Sequence, residues 1–149
     1  GAMAQKRGMN ILADVAKMGL LIQHTGVATT RKTIKENRDL VKRYVKTQVD
    51  AVHRIWTDRE GTMNAFLKHA GSSADRDLLE KIRDGLLTEA MLSKKQYPSL
   101  PGIKTILTSL AETDPRARPA KPEDFVDMSF IRELDQSGYI DRLYATHSR

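Results

Sequence analysis

The sequence predicts a mainly α-helical protein with about six or seven helices and one short strand near residues 20–30. Two observations indicate the helices. Apolar residues recur at spacings of three and four, and prolines interrupt this period only around residues 97–102 and 114–122. The third observation is that residues 20–30 are rich in β-branched side chains and lack a helical period. Because a single strand cannot form a sheet, this strand needs a partner strand.

Length and composition limit the class of protein. The chain has 149 residues, a net charge of +6, 40% hydrophobic residues and no cysteine. We predict a single helical domain over residues 4–149, preceded by a cloning remnant at residues 1–3. The lack of cysteine excludes disulfides, thiolate metal sites and a cysteine nucleophile. We also predict no signal peptide, because no apolar run follows the first charged residues.

Local signals divide the first half of the chain into elements. A first helix is predicted over residues 4–18, with Gly19 as its end. After the strand, Thr30 is the expected N-cap of a short helix, with Thr33 as the second choice. Asn37 either ends this helix or caps the next one. The next helix, over residues 39–56, carries one apolar face, and its basic residues lie mainly off that face.

Similar signals predict two helices in the middle of the chain. One begins near Arg59 with Asp58 as its cap and ends at Gly71. Another follows the turn at residues 72–75 and continues to about Met91. Its predicted apolar face consists of Leu78, Leu79, Ile82, Leu86 and Ala90.

The last third is predicted to be helical between proline-containing stretches. Pro101 suits the first turn of a helix, because that position needs no backbone donor. The apolar residues of this helix are Ile103, Ile106, Leu107 and Leu110. The final part, residues 122–144, has a helical pattern with a break at Gly138.

Basic residues are concentrated between Arg31 and Lys46, a segment that contains seven basic residues and only two acidic ones. A concentrated basic surface is expected of nucleic-acid-binding proteins. The one aromatic residue inside the segment, Tyr44, belongs to the apolar helix face, whereas single-strand binding uses exposed aromatic platforms. We therefore favour a solvated helix face. The alternative function is a small basic nucleic-acid-binding helical protein, with phosphate contacts from Lys35, Arg38, Lys42 and Arg43.

No motif predicts catalysis, a metal site or a cofactor. The histidines lack the spacing of a helical metal site. They are His24, His53, His69 and His147. The acids Glu123, Asp124 and Asp127 are expected to cap or precede helices rather than to act as an acid–base pair. An enzyme would need His24 to meet one of these acids in a pocket.

Three stretches carry a resemblance to a known family. Residues 4–14 follow the pattern A-x-x-x-G-x-x-x-L-x-D, and residues 25–41 contain I-x-E-N-x-D-x-V with Arg38 where proline is usual. Residues 122–144 form the third stretch. Together they resemble the C-terminal half of bacterial ABC-transporter substrate-binding proteins of the sulfonate, nitrate and taurine type, which are related to thiamine-pyrimidine synthases.

The resemblance implies a partial lobe of the type II periplasmic-binding-protein fold, without catalysis. Family members have two lobes with a ligand between them, lie outside the cytoplasm and deliver the ligand to a membrane permease. Much of that fold, including an N-terminal lobe, would be missing from this chain. The resemblance implies that most ligand contacts lie in the missing half, and that from this half only the crossing-strand region, residues 23–30, faces the cleft. The residues implied are Gln23, His24, Thr25, Thr29 and Thr30.

The missing lobe also predicts self-association. Helix faces that would cover a sheet, together with an unpaired strand edge, would otherwise be exposed apolar surface. A homo-oligomer is therefore expected, with this strand paired to its copy or with a helix exchanged between chains.

Overall fold

The computed structural model describes residues 4, 7–10, 12–13, 18–23, 25–70, 75–88 and 91–145. Seven α-helices lie in this part of the chain, which confirms the mainly α-helical prediction. They are α1 (Arg31–Glu36), α2 (Arg38–Thr57), α3 (Arg59–Ala70), α4 (Arg76–Leu86), α5 (Leu100–Leu110), α6 (Ser129–Gln136) and α7 (Tyr139–Ala145). Two short 3-10 helices, Pro115–Ala117 and Pro122–Phe125, precede α6. None of the described helices combines the length and apolar character needed to span a bilayer.

The strand predicted near residues 20–30 is wrong. Residues 20–23 and 25–30 form neither helix nor strand. A strand is defined by hydrogen bonds to a neighbour, and none of the described N–H groups from 20 to 29 donates to another backbone carbonyl. The residue types favour an extended chain, but the described part of the molecule offers no second strand.

The predicted boundaries of the short helix α1 are confirmed. The Thr30 hydroxyl accepts a hydrogen bond from the Thr33 N–H at 3.0 Å, which satisfies one of the free donors of the first turn. Asn37 ends the helix with its N–H bonded to the Thr33 carbonyl. One residue later α2 begins at Arg38.

Three other boundary signals are also confirmed. The Asp58 carboxylate accepts the Gly61 N–H at 2.8 Å at the start of α3. Pro101 lies in the first turn of α5, where a missing N–H costs nothing. Gly138 adopts φ 68° between α6 and α7, a left-handed conformation that favours glycine.

Two predicted helices differ from the structure. Of the helix expected over residues 4–18, residues 7–10 and 12–13 are not helical, and most of the others lie outside the described residues. Helix α4 ends at Leu86 rather than near Met91. The Thr88 hydroxyl and carbonyl both accept the Met91 N–H, so a local turn competes with continuation of the helix.

The chain divides into two compact units. Unit 1 comprises Gly1–Leu12, Lys46–Gln96 and Leu134–Arg149, and unit 2 comprises Ala13–Val45 and Tyr97–Glu133. Among the described residues, the buried apolar side chains of unit 1 are Val49, Val52, Met63, Leu134 and Ile140. Those of unit 2 are only Ala117, Phe130 and Ile131. Unit 2 therefore has a much smaller apolar core.

Candidate ligand-binding segment and its surroundings

Gln23, one of the predicted ligand contacts, is fixed by two hydrogen bonds within unit 2. Its Oε1 accepts the Ser99 N–H at 2.7 Å, and its Nε2 donates to the Thr25 carbonyl at 2.6 Å. The first bond reaches the N-cap of α5, because Ser99 also caps that helix through the Gly102 N–H. Gln23 therefore holds the segment against the start of α5.

Gly102 allows the segment to approach α5 closely. A Cβ atom at this position would lie 2.6 Å from the Gln23 nitrogen and 2.9 Å from the Ile22 carbonyl carbon. Both distances are too short for real carbon contacts. Only glycine fits here without a shift of the backbone at residues 22–23.

The other residues predicted to contact a ligand lie in different surroundings. Thr25 and Thr29 are exposed, and Thr25 meets Gln23 through its carbonyl group. Thr30 serves as the cap of α1, so its hydroxyl already has a partner. His24 lies outside the described residues. The structure thus brings Gln23 and Thr25 together and leaves Thr29 open to solvent.

The same segment exposes apolar side chains. Leu20, Leu21 and Val27 are each more than half exposed, and Ile22 is 43% exposed. Four such side chains so close together in sequence are unusual on a protein surface, where apolar residues are normally scattered singly. Residues 20–27 therefore present an exposed apolar surface.

The basic segment is exposed, and three of its seven bases contact acidic or carbonyl groups within unit 2. Arg31 donates to the Asp124 carbonyl at 2.8 Å. Arg38 donates to the Glu133 carboxylate at 3.1 Å, and Lys42 approaches that carboxylate at 2.7 Å. The solvated helix face predicted from the sequence is therefore also an ion-paired face.

Arg38 makes three kinds of contact at the start of α2. Besides its bond to Glu133, it donates to the Ser129 hydroxyl at 3.2 Å, and its guanidinium lies 4.4 Å from the centre of the Phe130 ring. Lys42 and Arg38 lower the pKa of the Glu133 carboxyl. These contacts fix the start of α6 and reduce the number of bases available to a polyanion, so nucleic-acid binding stays a prediction.

The acids near residue 125 form no acid–base pair in the described structure. Asp127 accepts the Ser129 N–H at 2.9 Å, and the Ser129 hydroxyl and N–H lower the pKa of this carboxyl. The capping role predicted for Asp127 is thus confirmed. Glu123 and Asp124 lie in the first turn of the 3-10 helix Pro122–Phe125.

The histidines do not assemble a metal site in the part of the chain that is described. No group of three His, Cys, Asp or Glu side chains there is arranged to hold a metal ion. His53 is buried in unit 1, with its ring edge-on to Tyr144 at 4.9 Å between centres. His69 lies in the last turn of α3, and His147 lies outside the described residues.

Sequence reasoning did not single out an aromatic cluster in unit 1. The Lys94 ammonium lies 4.8 Å from the centre of the Trp56 ring and 5.1 Å from that of Tyr144. An open groove of about 480 Å³ adjoins this cluster. The three residues are far apart in sequence, so no local motif could have identified them.

Comparison with known proteins gives no match. No protein-family model, no curated protein and no solved structure is significantly similar to this chain. The functional proposal therefore rests on the sequence pattern and on the geometry within each unit.

Proposed function

We propose that the chain is part of a two-lobed solute-binding protein, related to the binding components of ABC transporters for sulfonates, nitrate and taurine. In this proposal the chain is non-catalytic and acts together with a first α/β lobe. Outside the cytoplasm, the complete protein binds a small anion and delivers it to a membrane permease. The order of the resembling stretches 4–14, 25–41 and 122–144 supports this relationship.

The exposed apolar surface of unit 2 supports the proposal most directly. Its buried core is small, while large apolar side chains are exposed on α2, on α5 and in the segment around residue 20. They include Leu20, Leu21, Leu40, Tyr44, Ile106 and Leu110, and Phe125 of the second 3-10 helix is exposed as well. Since burial of apolar surface is the main force that stabilises a fold, so large an exposed set indicates a surface that packs on more protein.

The segment around Thr25 is the proposed contact with the solute. Its described hydroxyl groups are neutral donors, and such groups bind small anions in clefts without adding charge. The anchoring of Gln23 at Ser99 and Gly102 would keep these donors in place. In the absence of the first lobe, we propose that copies of this chain associate through the same segment.

The proposal is tested by the coding sequence upstream and by solute binding. We expect an in-frame first lobe upstream, and we expect the joined protein to release saturable heat with taurine, nitrate or ethanesulfonate in calorimetry. Thr29→Val should weaken binding, because it removes an exposed hydroxyl from the segment. Thr108→Val, an equal change on the exposed surface of α5, is the matched control.

Two results would overturn the proposal. One is an upstream sequence that encodes no α/β lobe. The other is a joined, folded protein that gives no saturable heat with any of the three anions.

A further inference from the structure

A lysine ammonium lies over two aromatic rings in unit 1. The attraction between a cation and the face of a ring extends to about 6 Å, so Trp56 and Tyr144 both hold Lys94. Trp56 is fixed in turn, because its indole N–H donates to the Leu92 carbonyl at 3.1 Å. The two rings therefore form a site whose chemistry suits an ammonium group.

The adjoining groove gives this site room for a ligand. Its volume of about 480 Å³ lies within the roughly 300–1,000 Å³ typical of small-molecule sites. Its lining includes the ring of Tyr144, the carboxylate of Asp141 and the lysines Lys94 and Lys95, whereas Ile140 beneath it is only 1% exposed. A ring face and a carboxylate both attract an organic cation.

The neighbouring lysine does not oppose a cationic ligand. Lys95 Nζ lies 2.7 Å from Asp135 and 3.4 Å from Asp141, so two carboxylates balance its charge. Among the described ion pairs, removal of the Lys94 charge leaves Lys95 together with the carboxylates of Asp135 and Asp141. That balance favours an incoming cation.

We propose that Trp56 and Tyr144 form a binding site for a small quaternary ammonium compound, and that Lys94 occupies this site as an internal competitor. The Lys94 ammonium stands in for the ligand's cationic group. A ligand displaces it and extends along the groove past Asp141. This site lies entirely within unit 1 and does not depend on the solute-binding function proposed above.

The test uses the fluorescence of Trp56, which is the one tryptophan of the chain. Tetramethylammonium chloride is titrated at constant ionic strength into the wild-type protein and into Lys94→Gln. We expect a saturable fluorescence change, with about tenfold tighter binding to Lys94→Gln, since one cation–π competitor is removed. Calorimetry of the same titration gives an independent dissociation constant. Lys94→Arg keeps a cation over the rings and should bind as weakly as wild type.

A second lysine provides a matched control. Lys46 Nζ lies 4.5 Å from the centre of the Tyr139 ring but is also paired with Asp50 at 3.0 Å. Lys46→Gln should therefore leave tetramethylammonium binding unchanged. Adding Tyr144→Leu to the Lys94→Gln variant should abolish binding, because it removes one of the two rings.

Other outcomes would overturn the proposal. A folded Lys94→Gln protein without a saturable signal would mean that Lys94 only anchors the loop before α5. An equal gain in Lys46→Gln would mean that the effect is not specific to this site. If Lys94→Gln does not fold, Lys94→Met keeps the aliphatic stem and is tested in its place.

Discussion

At the level of single residues, Gly102 is the position where a small change should have the largest effect on unit 2. A methyl group there would meet the backbone of residues 22–23 at 2.6–2.9 Å, and backbone atoms cannot move aside as a flexible side chain can. We expect Gly102→Ala to lower the free energy of unfolding by about 1–3 kcal/mol, the usual cost of overpacking. Urea denaturation followed by circular dichroism measures this loss.

Gly85 provides the control for that substitution. It lies in α4, and a Cβ atom there would meet nothing within 4 Å. Gly85→Ala should therefore stabilise the protein by about 0.5–1 kcal/mol, since alanine favours a helix over glycine. Equal effects of the two substitutions would contradict the close approach described at Gly102.

At the level of elements, the contact between α2 and the start of α6 should depend on pH. Lys42 and Arg38 lower the pKa of Glu133 in the folded protein. A carboxyl group with a lowered pKa stabilises the fold above its unfolded pKa of about 4.3, and this contribution is lost as the pH falls through the folded value. We expect Glu133→Gln to lower the urea midpoint at pH 7 and to make the midpoint less sensitive to acid.

The measurement compares urea midpoints at neutral and acidic pH. Glu123→Gln is the control, because Glu123 forms no ion pair within the described residues. A Glu133→Gln variant that loses as much stability in acid as the wild type would show that other carboxyl groups dominate the acid response.

The elements also show how far the sequence could predict the fold. The boundaries at Thr30, Asn37 and Gly138 were predictable because capping and left-handed turns depend on the nearest few residues. The burial of side chains in α4 was not predictable from the sequence. The predicted apolar face included Ile82, yet Ile82 is 39% exposed and Arg83 is 5% exposed.

The burial of Arg83 follows from contacts distant in sequence. Its guanidinium donates to the Ile55 carbonyl at 2.9 Å, which lies on another helix. The candidate site could likewise be predicted only in part from the sequence. Gln23 could be selected from its neighbours in sequence, but its bond to Ser99 and the cluster of Trp56 with Lys94 required the fold.

At the level of the whole molecule, the apolar segment around Leu21 should govern association. The charges elsewhere on the chain repel a second copy, whereas residues 18–30 contain no Asp, Glu, Lys or Arg. In the absence of a first lobe, we expect a dimer or higher oligomer at micromolar concentration, and we expect Leu21→Glu to be a monomer. Sedimentation velocity measures both states.

A matched control tests whether association depends on the position of the added charge or only on the charge itself. Leu12→Glu adds the same charge at a residue of unit 1 that is 98% exposed, and it should leave association unchanged. A monomeric wild-type protein would contradict the prediction.

The contacts of Arg38 have a consequence for how substitutions in unit 2 combine. Arg38 binds the Ser129 hydroxyl, the Glu133 carboxylate and the Phe130 ring at once. Residues that share one partner do not contribute independently to stability. The effects of substitutions at residue 38 and at residues 129–133 should therefore be non-additive.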